Sequence, residues 1–336
     1  MAVAQVRDVA ALAGVSPATV SNALNRPDRV SAPTLARIRA AIDELGYVRN
    51  DAARQLRAGT NRSVGMVLLD VGNPFFTDVV RGVEDTLAPE GRPLILGSSA
   101  QDPDRERTYL DLFEEQRVSG LLITPTGSVL PRLRRLRDRG TAVVLVDRRA
   151  GAREFSSVSV DDRKGGRLAA EHLLDVGRRR IAFVGGPLRI AQVKRRLEAA
   201  QSVVEEAGHG EVVFLETGAM DADAGRRGAE ELLALPSRRR PDAIFAANDL
   251  VALGALQALT LAGAKVPDDV ALIGFDDIDF AASAAIPLSS IRQPAARMGA
   301  EATRLLLSLI DSDEPGKVQH PVLEPELVVR SSTTSF

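Results

Sequence analysis

The sequence predicts an all-α helix-turn-helix headpiece and a hinge helix, joined to an α/β core of two lobes with parallel sheets. Three observations carry that prediction. The stretch from Val6 to Asn25, VRDVAALAGVSPATVSNALN, has the spacing of two short helices around a tight turn. From Ser63 onward, short apolar runs alternate with longer helical patterns, as they do where parallel strands are covered by crossover helices. These runs are too many for one comfortable sheet, so the core divides into two lobes.

In the first stretch, Val6, Val9, Ala10 and Ala13 recur on one helical face, and Gly14 supplies the left-handed residue that ends a helix. Val15 fills the inside of the turn. Ser16 suits the N-cap and Pro17 the first helical position, where its missing N–H has no partner to lose. Val20, Ala23 and Leu24 face inward. The outside, with Pro17, Ala18, Ser21, Asn22 and Asn25, is small and polar, slim enough for a DNA major groove about 12 Å wide. A hairpin buried on both sides would carry leucines at those positions. After a loop containing Pro27, Ser31 is expected to cap a third helix with Leu35, Ile38, Ile42 and Leu45 in an apolar stripe, closed by Gly46.

The segment Asn50 to Ala58, NDAARQLRA, reads as a short hinge helix, too short to be stable in isolation and expected to order on DNA. Leu56 is its one large apolar side chain, with Ala52 and Ala53 a turn before it and Arg54 and Arg57 at its flanks. It is either an incidental linker leucine or a wedge that pries apart a base step in the minor groove.

In the core, strands are expected at Val64 to Leu69, Pro93 to Gly97, Gly120 to Thr124, Ala142 to Val146, Ile181 to Gly185, Val212 to Leu215, Ala243 to Ala246 and Val270 to Phe275. Ligands of such sheets bind beyond the carboxyl ends of strands. Three groups fall there: Asn73-Pro74-Phe75-Phe76, Asn248-Asp249, and the carboxylates Asp276, Asp277 and Asp279. Short polar acceptors beside aromatic faces suit a small polyhydroxylated or cyclic ligand. Asp249 is expected to cap the helix that starts at Leu250. The carboxylate group could instead hold a metal or work as acid and base, although ligand hydroxyls or a helix cap fit it better.

Composition excludes several other classes. At 336 residues, 45% apolar and 26% charged, the chain is ordinary globular protein. Residues 1–60 carry eight arginines, no lysine and five carboxylates, a net of +3, which leaves −5 for the remainder of a chain whose total is −2. The basic part is the candidate for phosphate contact. The absence of cysteine excludes disulfides and thiolate chemistry, and His172, His209 and His320 are too scattered for a metal motif, so neither metal nor cofactor is expected. No P-loop, dinucleotide fingerprint or nucleophile elbow follows any strand, which argues against an enzyme. With no apolar run near 18 residues and no leader pattern ahead of the first helix, a cytoplasmic protein without a membrane span is expected.

Over nearly its whole length the chain resembles the LacI/GalR family of bacterial transcriptional regulators. In the headpiece the matching residues are VRDVA, AGVSPATVSNALN, RVS, Thr34 with Arg37-Ile38, and LGY at Leu45 to Tyr47, then Asn50, Ala53 and Leu56. In the core they are NPFF at Asn73, GLL at Gly120, VDD with GG at Asp161 to Gly166, GGPL at Gly185, ANDLVALG at Ala247, VPDDVALIGFDD at Val266 and IRQP at Ile291.

The resemblance implies a core like a periplasmic sugar-binding protein, crossed three times by the chain, near Val160, Ser290 and Pro321. The domains it implies are a headpiece at 1–48, a hinge at 49–60 and a core at 61–336. Lobe 1 would span about 61–160 and 292–321, and lobe 2 about 161–291 and 322–332. It implies a repressor that binds a double-stranded palindromic operator as a homodimer, as members of the family generally do; the family's tetramerising leucine-repeat tail is not expected after Val329. Pro17, Ala18 and Asn22 would set base choice, Ala18 against a thymine methyl and Asn22 against adenine, with Thr19, Ser21 and Asn25 mainly on phosphates. Ala53 and Leu56 would enter the minor groove. Phe75, Phe76, Asp147, Arg196, Asn248 and Asp276 match positions that often touch a small-molecule, sugar-like effector, and Met220 stands where a stacking aromatic is common. Asn22 replaces a frequent arginine and Arg49 a frequent proline, while Ala199-Ala200 and Ile190 depart from the family's pocket pattern. A transport protein or a sugar-acting enzyme would have no use for the headpiece.

Overall fold

The computed structural model describes residues 4–47, 62–127, 129–149, 154–312 and 317–334. The chain forms two compact units, Met1–Thr60 and Asn61–Phe336.

The first unit holds helices α1 (Val6–Ala13), α2 (Pro17–Asn25) and α3 (Ala32–Leu45). Gly14 takes φ +64°, a conformation costly for any residue with a Cβ, and the Val15 N–H then reaches the Ala10 carbonyl at 3.0 Å. The Ser16 hydroxyl accepts from the Thr19 N–H at 3.1 Å and caps α2. Val9, Ala10, Ala13, Val20, Ala23, Ile38 and Ala41 form the buried centre, flanked by Val15, Leu24, Leu35, Ile42 and Leu45. Ser31 stands at the N-cap position of α3, but its hydroxyl donates to the Thr34 hydroxyl at 2.9 Å and caps no backbone N–H.

The second unit contains two six-stranded sheets. Its strands are β1 (Val64–Leu68), β2 (Leu94–Ser98), β3 (Gly120–Ile123), β4 (Ala142–Val146), β5 (Ser156–Val160), β6 (Arg180–Gly185), β7 (Glu211–Glu216), β8 (Ala243–Ala246), β9 (Ala271–Asp276), β10 (Ser289–Arg292), β11 (Val322–Leu323) and β12 (Glu326–Val328). The first sheet runs β11-β5-β4-β3-β1-β2 and the second β12-β10-β9-β8-β6-β7. All neighbours are parallel except β10 and β12. In each sheet the order reverses around one strand, β1 in the first and β6 in the second, and ligand crevices open beyond such points.

The covering helices are α4 (Pro74–Leu87), α5 (Pro103–Glu115), α6 (Leu130–Asp138), α7 (Asp162–Asp175), α8 (Ala191–Ala207), α9 (Ala222–Ala234), α10 (Asp249–Leu261), the short α11 (Asp279–Ser283) and α12 (Ala295–Ile310). Although it follows the second sheet's β10, α12 packs on α4 and on β3, β4 and β5, so it belongs to the first lobe. In the second lobe α9 and α10 lie backbone against backbone. A Cβ on Gly254 would sit 1.8 Å from the Ala222 carbonyl oxygen, so only glycine permits that approach.

Two differences from expectation concern strands. β5 (SSVSV) and β10 (SSIR) carry serines where a buried strand ordinarily shows valine or isoleucine. Their hydroxyls are satisfied from a distance: Ser157 by the His320 ring at 2.9 Å, and Ser290 by Asp249 at 2.7 Å. The third crossing also lies later than Pro321. Val322 and Leu323, expected in lobe 2, pair with Ser159 and Val160 of β5 in the first sheet, so the chain crosses between Leu323 and Glu326.

Candidate functional site

Two surfaces carry the chemistry, one in each unit. On α2, Pro17, Ala18, Asn22 and Asn25 are exposed, and Thr19 and Ser21 are half-buried. The inward residues Val20 and Ala23 fix the helix rotation, which leaves this small polar stripe outside. The Asn25 amide donates to the Ser21 carbonyl at 2.8 Å, which folds it along its own helix. Arg26, Arg29, Arg37 and Arg39 are exposed nearby in sequence. Ala53 and Leu56 lie outside the described residues.

In the core, a narrow cleft of about 30 Å³ opens where the carboxyl ends of both sheets meet. Phe75, Phe76, Asp147, Arg196, Met220, Asn248 and Asp276 all line it, together with Leu69, Asn73, Ile190, Gln192, Val193 and Gln293. Lobe 1 contributes α4 and the residue after β4. Asn73 caps α4 through its Oδ1, 3.0 Å from the Phe75 N–H, which frees its amide nitrogen to donate to Asp276 Oδ2 at 3.1 Å in the other lobe. Phe75 and Phe76 meet edge to face with centroids 5.0 Å apart. From lobe 2, the Gln192 amide on α8 donates to Asp147 Oδ2 at 3.0 Å. The Gln293 amide, just past β10, donates to Asp276 Oδ1 at 2.7 Å. The two lobes are thus joined at the cleft by Asn73 with Asp276 and by Gln192 with Asp147.

Arg196 is held from its own lobe. Its Nε and Nη2 lie 3.0 and 2.9 Å from Asp162 Oδ1, its Nη1 donates to the Ala247 carbonyl at 2.8 Å, and its guanidinium carbon stands 3.5 Å from the Phe275 ring centroid. Asp162 opens α7, and the glycine pair that follows lets α7 approach α8. A Cβ on Gly166 would fall 2.5 Å from the Arg196 carbonyl oxygen.

Three aspartates in or against the cleft are shifted toward protonation. Burial, reinforced by the charge of Asp162, lifts Asp147 to about 7 against the pull of Arg196. Burial lifts Asp276 to about 6, again opposed by Arg196. Asp249 rises well above the ordinary carboxylate range, first from burial and then from Asp276. Asp147, Asp276 and Asp277 also hold positive φ values of 52°, 111° and 57°, backbone conformations that non-glycine residues rarely keep outside functional sites.

The structure corrects two expectations at these loops. Asn248, not Asp249, caps α10: its Oδ1 accepts from the Val251 N–H at 2.9 Å while its amide donates to the Met220 carbonyl at 3.1 Å. Asp249 instead accepts from the Ile278 N–H at 2.9 Å and the Ser290 hydroxyl at 2.7 Å, which fixes the loop behind Asp276. The carboxylate group also disperses. Only Asp276 lines the cavity with the effector-position residues, while Asp277 pairs with Arg292 at 2.8 Å and Arg330 at 2.6 Å, and Asp279 opens α11. Among the described residues no group of three or more His, Cys, Asp or Glu is placed to hold a metal ion.

Sequence reasoning assigned no role to Gln192, Gln293 or Asp162. Gln293 sits in the IRQP match and Asp162 in VDD, but nothing in the local pattern says that these side chains turn toward Asp276 and Arg196. No helix among the described residues is long and apolar enough to cross a membrane.

Comparison with known proteins follows the same division. The profile "Bacterial regulatory proteins, lacI family" matches residues 5–50, and "Periplasmic binding protein-like domain" matches residues 170–333. The HTH-type transcriptional repressor PurR of Aliivibrio fischeri is 31% identical over 99% of both chains. CytR of Escherichia coli K12, also an HTH-type transcriptional repressor, is 32% identical over 99% of this chain and 97% of its own. Among solved structures, the lac repressor dimer bound to operator and the anti-inducer ONPF superposes with a TM-score of 0.82 at 25% identity, covering 99% of this chain and all of that one. The CelR–cellobiose complex, described as a transcriptional regulator, matches at 33% identity and a TM-score of 0.71, over 98% of this chain and 99% of that one. With a DNA-sized polar helix in one unit and a two-lobed ligand cleft in the other, the chain belongs to the lacI family of bacterial regulatory proteins, as a DNA-binding, ligand-responsive regulator of transcription and not an enzyme.

Proposed function

We propose that this protein is a cytoplasmic repressor that binds a palindromic operator as a homodimer and changes its grip when a polar, sugar-like metabolite enters the core cleft. The observation that carries the reading is the cleft itself: side chains from both lobes meet in it and join through Asn73 with Asp276 and Gln192 with Asp147. A molecule seated there contacts both lobes at once, so its binding energy depends on how far they close. The relatives support the same reading, since the lac repressor structure is of a dimer on operator and the CelR structure holds cellobiose.

On DNA, Pro17, Ala18 and Asn22 read bases in the major groove, Thr19, Ser21 and Asn25 hold phosphates, and Ala53 and Leu56 of the hinge enter the minor groove. In the cleft, Phe75, Phe76 and Met220 give apolar faces, while Asp147, Arg196, Asn248 and Asp276 give polar contacts. Closure of the lobes alters the spacing of paired hinge helices. The coupling is a difference in affinity between two states, typically about 1–3 kcal/mol, and it is reciprocal: effector and operator change each other's affinity by the same factor.

The test begins with recovery of bound duplexes from genomic fragments, followed by a screen of sugars and nucleosides for release or tightening. Asp276→Ala is expected to lose the effector response while operator binding remains. A variant that still responds would move the effector site elsewhere, and a protein with no preference for any duplex over bulk competitor would end the reading.

A further inference from the structure

The charge and hydrogen-bonding balance of the cleft restricts what can fill it. This inference rests on the reading of the cleft as the effector site. Arg196, the cation among the lining residues, is already committed: its side chain is 5% exposed and its partner Asp162 2%, and three of its five N–H donors are bonded to Asp162 and Ala247. Arg195 reaches the other Asp162 oxygen at 3.6 Å from a more exposed position. Asp147 and Asp276, by contrast, form no ion pair among the described residues, although both are buried. The polar atoms left without a partner in the cleft are acceptors, Asp147 Oδ1 and Gln293 Oε1, each on a side chain about 95% buried.

A buried acceptor without a donor has lost its water and gained nothing in return, so the cleft favours an occupant that brings N–H or O–H groups to these two atoms. A phosphate or carboxylate brings a further acceptor to Gln293 Oε1 and negative charge beside Asp276, which is ionised above about pH 6. At a separation of about 6 Å and an effective dielectric of about 20, one such repulsion weakens binding by about a hundredfold.

We infer that the effector is a donor-rich molecule without an anionic group, and that Asp162 is the specificity-determining residue that bars anions by neutralising Arg196. Unphosphorylated sugars, nucleosides and amino sugars meet the condition; sugar phosphates, nucleotides and sugar acids do not. Asp162 acts through Arg196 and touches no ligand itself.

The test uses the full chain, its Asp162→Asn variant and matched pairs: ribose and ribose 5-phosphate, glucose and glucose 6-phosphate, cytidine and CMP, adenosine and AMP. Calorimetry is expected to show the phosphorylated member of any binding pair at least about tenfold weaker in the wild type. The gap should narrow to less than about threefold in Asp162→Asn. A phosphorylated member that binds more tightly than its neutral partner overturns the inference. Millimolar inorganic phosphate is the ligand-independent probe. It should leave the wild-type melting temperature unchanged and raise that of Asp162→Asn. Stabilisation of the wild type that disappears in Arg196→Met, or stabilisation of neither protein, overturns the assignment to Asp162. If Asp162→Asn does not fold, Asp147→Asn, which removes a cleft charge at constant shape, replaces it with the same expected outcomes. Failure of the underlying reading is separate, because it appears as an effector response that survives Asp276→Ala.

Discussion

Replacing Asp276 with asparagine should change the pH dependence of the core's stability more than its stability at any one pH. Burial lifts this carboxyl from 3.8, the ordinary aspartate value, to about 6. The folded state therefore holds a proton that the unfolded state has released. A carboxyl raised in this way contributes its full stability below about pH 4, loses about 1.4 kcal/mol per pH unit between there and about 6, and then levels off. The total is about 3 kcal/mol. Asparagine does not titrate, so the variant's stability relative to wild type should climb by about that much between about pH 4 and about pH 7.5.

A separate, pH-independent offset is expected as well. Asn73 and Gln293 both donate to Asp276, and an asparagine there has one acceptor for the two of them, at a cost of about 1–3 kcal/mol. The slope, not the offset, is the quantity to read. The chain contains no tryptophan, so denaturant titrations followed by far-UV circular dichroism at half-unit pH steps are the suitable assay. Wild-type and variant curves that stay parallel across the range, or a difference that shrinks as pH rises, would refute the claim that burial lifts the Asp276 carboxyl.

Two further outcomes concern DNA. Asn22→Ala, on the exposed face of α2, should cost about 1–3 kcal/mol on the preferred duplex and leave binding to bulk DNA unchanged, as measured by competition at fixed salt. An equal loss on both would make Asn22 a phosphate contact. Leu56→Ala should weaken operator binding while effector affinity, measured by calorimetry without DNA, stays nearly the same; unchanged operator binding would remove the wedge.

Where a segment's structure is decided by its neighbours in the chain, the sequence alone was sufficient. Gly14, Ser16 and Pro17 punctuate the first two helices through contacts a few residues away, and the inward spacing of Val9, Ala13, Val20 and Ala23 fixes which face of α2 stays outside. The apolar runs of β1, β3, β4, β8 and β9 are likewise readable, because strands buried on both faces ordinarily read as continuous hydrophobic runs. Tertiary structure decided what depends on partners far along the chain. The serine-rich β5 and β10 become buried strands only because distant groups satisfy their hydroxyls, 163 residues away for Ser157. The exchange of roles between Asn248 and Asp249 depends on Ile278 and Ser290, the bond between Asn73 and Asp276 spans 203 residues, and the commitment of Arg196 to Asp162 needs two helices pressed together at Gly166. Periodicity records which side of an element is buried, but it does not record which buried polar group another one meets, and that meeting decides which residues in the cleft remain free to bind a ligand.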